Sequence, residues 1–176
     1  MNDVPNVKLV IYKKIVAGDL RKFTATSNDS QTGGGARDLR FSPVDEFFPK
    51  FEMMFPNKKE GILRGHFYWK GLAPTDVEIH PPTSKRPNEM RVARVHECIP
   101  QEVFPKDGND SILIMILDES DKVWPYFITE ESLLHDNWHP KIKDNILKWL
   151  NAKRRANSSP MGYIDLVHGG VYTNGN

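Results

Sequence analysis

Thirteen prolines divide this 176-residue chain into short apolar runs. Proline fixes φ and removes a backbone donor, so it is unfavourable inside long helices and central strands. β-branched runs bounded by turn residues are typical of strands. Such runs occupy residues 7–15, 20–26, 38–42, 61–71, 76–80, 89–98, 111–120 and 122–129. The pattern predicts a mainly β (α+β) fold of about seven short strands, arranged as a barrel-like or sandwich-like sheet.

Two stretches have helical rather than strand periodicity. Residues 42–56 begin with Ser42, a capping residue, and we expect a short helix there that ends before Pro49. Residues 139–155 form the better candidate, because their apolar residues recur at helical spacing. The predicted buried stripe consists of Ile142, Ile146, Leu147 and Leu150. We expect both helices to lie at the periphery of the sheet.

The composition limits the class of protein. At this length we expect one domain, residues 1–156, followed by a flexible or edge-strand tail at 157–176. The net charge of +1 gives no overall basic field, so a nucleic-acid surface would depend on local charge. Cys98 is the only cysteine, which excludes an intrachain disulfide, and we expect it to be an inert, buried thiol. No apolar run is long enough to span a membrane, so we expect a cytoplasmic protein without membrane contact.

A flexible polar segment precedes two arginines. Residues 27–43 read SNDSQTGGGARDLRFSP, and the three glycines are unsuitable for a core strand. Arg37 and Arg40 would place positive charge at the base of a loop that extends into solvent. The glycines would let the backbone approach a DNA duplex, and the polar side chains would lie near base edges or phosphates. Those polar residues are Asn28, Asp29, Ser30, Gln31 and Thr32.

A second polar loop has similar chemistry. Residues 81–94 read PPTSKRPNEMRVAR and lie between two predicted strands. Arginine can bond guanine through two donors, asparagine can bond adenine, glutamate can accept from cytosine, and lysine can hold phosphates. The loop supplies Lys85, Arg86, Asn88, Glu89, Arg91 and Arg94. Two such loops on a β scaffold are suited to one major groove, although a single polar loop is more often simply solvated.

These segments resemble the N-terminal effector-binding domain of the EcoRII-type restriction endonucleases. The first segment contributes an Asn-Asp pair, paired glycines and a strand that ends in proline. The second contributes SKRPNEMRVAR, and GNDSILIMIL resembles the next core strand of the family. The resemblance covers roughly residues 8–130. It implies a B3-like DNA-binding pseudobarrel in which two loops, the N-arm and the C-arm, enter the major groove.

The resemblance also implies a set of DNA-binding residues. The N-arm corresponds to residues 22–40 and the C-arm to residues 84–94. The implied N-arm residues are Lys22, Asn28, Asp29, Ser30, Gly33 and Gly34, to which the loop chemistry adds Gln31, Thr32, Arg37 and Arg40. The implied C-arm residues are Ser84, Lys85, Arg86, Asn88, Glu89, Arg91 and Arg94. Because Met90 replaces a basic residue of the family and Arg37 has no clear counterpart there, the family's target sequence does not transfer.

The expected function is therefore that of a sequence-preferring reader of double-stranded DNA in a restriction or phage-defence system. The relatives carry a catalytic domain after this module, and we expect none in this chain. We expect no metal and no cofactor. A nuclease domain or subunit remains open as a partner, as does the oligomeric state.

Two alternatives remain open. Asp76 and Glu78 resemble the carboxylate pair of a magnesium-dependent nuclease, but His80 stands where such a site needs lysine. The other alternative is a protein-interaction module whose arms bind an acidic partner. A zinc site at His135 and His139 is disfavoured, because no acidic third ligand lies at a suitable spacing.

Overall fold

The computed structural model describes residues 6–23, 37–104, 111–151 and 160–174. The chain divides into two compact units, one formed by residues 1–16 with 107–176 and the other by residues 17–106. Strands predominate in the described residues, with short helices at the periphery, so the predicted fold class is confirmed. None of the helices in these ranges is long and apolar enough to cross a membrane.

The described residues form more strands than the roughly seven that the sequence predicts. In chain order the strands are β1 (Val7–Lys14), β2 (Leu39–Phe41), β3 (Asn57–Lys59), β4 (Ile62–Trp69), β5 (Leu72–His80), β6 (Met90–Val92), β7 (Ile112–Asp118), β8 (Val123–Ile128), β9 (Met161–Asp165) and β10 (Val171–Thr173). The helices are α1 (Ala17–Phe23), α2 (Val44–Met54), α3 (Val95–Cys98), α4 (Glu130–His135) and α5 (Pro140–Leu150), with a 3₁₀ turn at Gln101–Val103.

The first unit contains an antiparallel sheet in the order β10-β9-β1-β7-β8. Strand β7 is buried at every position, as its continuous apolar run predicts. The predicted hairpin between β7 and β8 is present, with Leu117 opposite Val123. Strand β9 lies between β1 and β10, so residues 161–165 form an interior strand of this sheet and β10 its edge.

Two helices cover the core of the first unit. In α5, Ile142 and Ile146 are buried as predicted, and Trp149 extends the stripe by packing edge-on against Tyr12 at 4.9 Å between ring centroids. Helix α4 was not predicted, although it begins with a capping box. The Thr129 hydroxyl accepts the backbone N–H of Ser132, whose own hydroxyl accepts the N–H of Thr129.

The second unit contains an antiparallel sheet in the order β3-β4-β5-β6-β2. Its long hairpin, β4 with β5, alternates between a buried and a solvent-facing side. Leu63 pairs with Ile79 on the buried side, and Phe67 is also fully buried. The aromatic run at 67–69 therefore serves mainly as core.

The predicted strand at 20–26 is wrong for its first four residues, which end α1. An ion pair spans one turn of this helix, with Lys22 Nζ 2.8 Å from Asp19 Oδ1. Phe23 is buried and stacks on Phe104 at 4.8 Å between ring centroids. The alternation in this stretch covers too few residues to distinguish a strand from a helical turn.

The prediction that the second helix ends before Pro49 is also wrong, because α2 continues to Met54 with this proline inside it. Proline removes one backbone hydrogen bond there. Burial of Phe47 and Phe51 offsets that loss, since both rings pack edge-on against Phe41 at 5.4 and 5.1 Å between centroids. Ser42 does not cap the helix, because the N-cap position is Pro43.

The predicted strand at 89–98 is only partly correct. Strand β6 ends at Val92, and α3 begins at Val95. Between them, Arg94 adopts a left-handed conformation with φ of 47°, which turns the chain out of the sheet. Sequence alternation cannot detect such a turn at a residue other than glycine.

Candidate nucleic-acid interface

Strands β2 and β6 bring the ends of the two predicted arms together. They pair antiparallel, with Leu39 opposite Val92 and Arg40 opposite Arg91. The strands form here because Leu39, Val92 and their alternate neighbours are buried, whereas Arg40 faces solvent. The last residues of the N-arm therefore lie beside the last residues of the C-arm.

An open pocket of about 370 Å³ lies on the C-arm. It is lined by Arg40, Ser42, Lys85, Arg86, Pro87, Asn88 and Glu89. A tight turn shapes the loop, because the backbones of Thr83 and Arg86 exchange two hydrogen bonds of 3.2 and 2.9 Å. Five of the predicted DNA-binding residues are therefore neighbours around one pocket, and Ser42 is an additional lining residue that the sequence did not single out for DNA.

Asn88 fixes the C-arm to the start of α2. Its Oδ1 accepts the backbone N–H of Val44 at 3.4 Å, and the N-cap Pro43 offers no side-chain cap of its own. Asn88 thus supplies a capping contact from a distant loop.

Glu89 lies between two arginines of the pocket. Its Oε1 is 3.4 Å from Arg86 Nε and 3.6 Å from Arg40 Nε. About one third of the Arg86 side chain is exposed, at 34%, against 44% for Arg40 and 19% for Glu89. Lys85 is exposed, and the described part of the chain gives it no ion-pair partner.

The base of the C-arm is held by a buried carboxylate that the sequence analysis did not single out. Asp38 is 3% exposed; its Oδ2 accepts from Arg91 Nη1 at 3.4 Å and its Oδ1 accepts the backbone N–H of Arg94 at 3.1 Å. Only 14% of the Arg91 side chain is exposed. Arg91 is therefore a buried structural residue of the C-arm. Asp38 also helps to hold the strained backbone of Arg94.

The Arg94 side chain lies at a different pocket. Its guanidinium is 3.5 Å from Glu78 and 3.4 Å from Glu97. This second pocket, of about 390 Å³, is lined by Thr75, Asp76, Glu78, Ala93, Arg94, Glu97 and Cys98. The predicted C-arm residues are thus divided between the two pockets and the buried base, except for Ser84, which is exposed and lines neither pocket.

The N-arm is represented by three of its predicted residues. Lys22 is bound to Asp19, and Arg37 Nη1 donates to His96 Nε2 at 3.3 Å. Arg40 belongs to the C-arm pocket described above. The remaining predicted residues lie outside the described residues: Asn28, Asp29, Ser30, Gln31, Thr32, Gly33 and Gly34.

Burial and the neighbouring Arg37 lower the pKa of His96 below its ordinary value near 6.5. In the unfolded chain the imidazole is protonated as the pH falls through about 6.5, whereas the folded residue resists protonation. His96 therefore disfavours the folded state progressively below that pH.

Glu78 is hydrogen-bonded to two neighbouring side chains, His80 and Arg64. Its carboxylate accepts from His80 at 3.1 Å and from Arg64 at 2.9 Å, and these bonds, His80 first, lower its pKa below the ordinary value of 4.5. The resulting stabilisation is present above that pH and is lost as the pH falls through the lowered value. Its neighbour Asp76 is 92% exposed in its side chain and pairs with His66 at 3.0 Å.

The described residues contain no group of three His, Cys, Asp or Glu side chains placed to hold a metal ion. His139 instead caps α5, because its Nδ1 accepts the backbone N–H of Lys141 at 3.2 Å. His135 lies at the end of α4.

Cys98 is expected to resist alkylation in the folded protein. The residue is 1% exposed, and burial raises the pKa of its thiol to about 12. At pH 8 only about one thiol in ten thousand would be ionised. Iodoacetamide followed by mass spectrometry should label the protein slowly in buffer and at once in denaturant. Rapid stoichiometric labelling of the folded protein would contradict this assignment.

No protein-family model matches the chain, and no curated protein or solved structure gives a significant match.

Proposed function

We propose that the chain is a sequence-preferring double-stranded DNA-binding domain. The observation that carries this proposal is the convergence of residues from both arms on one open pocket. Arg40 comes from the N-arm strand, and Lys85, Arg86, Asn88 and Glu89 come from the C-arm. Guanidinium, ammonium and amide groups together provide the hydrogen-bond partners that base edges and phosphates require.

The two kinds of cation would have different tasks. Lys85 is exposed and can serve as a phosphate contact, which sets register without reading sequence. Arg40 and Arg86 have planar guanidinium groups that can bond guanine through two donors. The buried pair of Asp38 and Arg91 would keep β2 and β6 in place while the pocket contacts the duplex.

The resemblance to the restriction endonucleases supports a role in target or effector recognition within a restriction or phage-defence system. In that role this chain binds DNA and does not cut it, and a nuclease domain or subunit would perform the cleavage. We place the protein in the cytoplasm, where a lone buried cysteine stays reduced.

Substitution of Lys85 by alanine tests the phosphate contact. Loss of one such contact should weaken all duplexes alike and reduce the slope of log affinity against log salt by about 0.9. The measurement is fluorescence anisotropy with a labelled mixed-sequence duplex at several salt concentrations. Lys59→Ala, which removes an exposed lysine from β3, is the matched control and should leave the slope unchanged.

Two outcomes would count against the proposal. An unaltered slope in Lys85→Ala would remove this residue from the interface. If the unmodified protein showed no salt-sensitive binding to any duplex, the whole proposal would fail. A protein-interaction module would then be the better hypothesis.

A further inference from the structure

The carboxylate of Glu89 has an unusual environment for a residue on an open loop. Its Oε1 has essentially no solvent-accessible surface and makes no hydrogen bond to any described residue. Its electrostatic compensation comes from two guanidinium groups, with Nε of Arg86 at 3.4 Å and Nε of Arg40 at 3.6 Å. A buried anion is costly unless cations or donors lie close to it, so these two arginines and Glu89 depend on one another.

We infer that Glu89 is a positioning residue that holds Arg40 and Arg86 side by side for base recognition and does not itself read a base. The consequence for DNA rests on the function proposed above. The ion pairs of Glu89 with Arg40 and Arg86, called the Glu89 bridge below, join the two arms. Arg40 belongs to β2, whereas Arg86 and Glu89 belong to the C-arm.

The Glu89 bridge leaves the terminal amino groups of both arginines without another ionic partner in the described part of the chain. Both ion pairs are made through Nε, and the described residues offer the terminal amino groups of Arg40 and Arg86 no other ionic partner. Those terminal amino groups are the donors that can meet O6 and N7 of guanine. Glu89 thus lies closest to Nε of each group, and both arginines line the pocket.

Charge explains why a shared anion is needed. Two guanidinium groups that converge on one pocket repel each other, and without Glu89 they would separate and sample many rotamers. An arginine that is already oriented loses less freedom on binding. Removal of the carboxylate should therefore spare, or even raise, general affinity for DNA while it lowers the preference for one sequence.

The first experiment needs no DNA. Arginine Nε–H signals of Arg40 and Arg86 are recorded by nuclear magnetic resonance and assigned with Arg40→Lys and Arg86→Lys variants. In the unmodified protein both Nε–H groups should be ordered and slow to exchange. Glu89→Gln should make both mobile, whereas Glu102→Gln, which removes an exposed acid from the same unit, should change neither. Unchanged signals in Glu89→Gln would overturn the inference, whatever the protein binds.

The second experiment separates positioning from direct reading. A duplex selected from a random pool is compared with one that carries a single altered base pair. Glu89→Gln should reduce the ratio of the two affinities by about tenfold or more, with overall affinity for the altered duplex unchanged or higher.

A mutant cycle completes the test. In a protein that already carries Arg40→Ala and Arg86→Ala, Glu89→Gln should have no further effect on this ratio, because Glu89 acts through those residues. A further loss of preference in that background would show that Glu89 contacts the base itself. If the unmodified protein bound no duplex, the proposed function would fail, whereas the magnetic resonance result would still decide whether Glu89 orders the arginines.

Discussion

Replacement of both Arg40 and Arg86 by alanine should weaken binding to the preferred duplex by between about 30-fold and about 20,000-fold. Each base contact through two donors is worth about 1–3 kcal/mol, and about 1.4 kcal/mol corresponds to a tenfold change. Both side chains are more than a third exposed, at 44% and 34%. Their removal leaves Glu89 without its two cations, so circular dichroism confirms the folded state of the variant before the titration. Isothermal titration with the selected duplex measures the loss.

Lysine at the same two positions separates charge from geometry. Arg40→Lys with Arg86→Lys keeps both positive charges but cannot form the paired donors of a guanidinium. We expect this variant to retain the salt dependence of binding and to lose the sequence preference. Lys59→Ala with Lys148→Ala removes two exposed charges elsewhere and should behave like the unmodified protein. Full affinity and full preference in the double alanine variant would exclude the C-arm pocket as the reading surface.

Substitution of Asp38 by alanine should lower the free energy of unfolding by about 3 kcal/mol, since it leaves a largely buried arginine without its anion. The partner is Arg91, 14% exposed in its side chain, whose Nε already has no hydrogen-bond acceptor among the described residues. The same change removes the acceptor for the backbone N–H of Arg94. Urea unfolding at pH 7 measures the loss.

Asp38→Asn and Asp144→Ala are the comparisons for this prediction. The asparagine keeps an oxygen for the Arg94 backbone but loses the charge, so we expect a smaller loss than with alanine. Asp144 is exposed on α5, and its replacement should change stability by less than about 0.5 kcal/mol. Equal midpoints for Asp38→Ala and the unmodified protein would mean that this carboxylate does not hold the base of the C-arm.

The strands were predictable where a long apolar run or a clear alternation reports burial directly. Strand β7 is the best case, because all its positions are buried and its sequence is continuously apolar up to Leu117. Short elements failed for a physical reason. Helix α1 is only seven residues long, and α3 follows one left-handed residue, so neither leaves a clear periodic pattern. Helix α4 carried a usable signal, since Thr129 and Ser132 have capping-box spacing.

The sequence predicted which residue types form the candidate site, but not which of them contact one another. The sequence marked the C-arm as rich in cations and polar residues, and four of its marked residues line one pocket together with Arg40 of the N-arm. It could not show that Glu89 pairs with Arg40, because that contact depends on the pairing of β2 with β6. The role of Asp38 was missed for the same reason, since its partner Arg91 lies more than fifty residues along the chain.

The central claim, that this domain reads double-stranded DNA by sequence, is tested most directly by selection. The protein is incubated with a pool of random duplexes at two salt concentrations, and the retained duplexes are sequenced. We expect a short motif to be enriched and affinity to fall as salt rises. Retention at low salt only, with no enriched sequence, would contradict the claim.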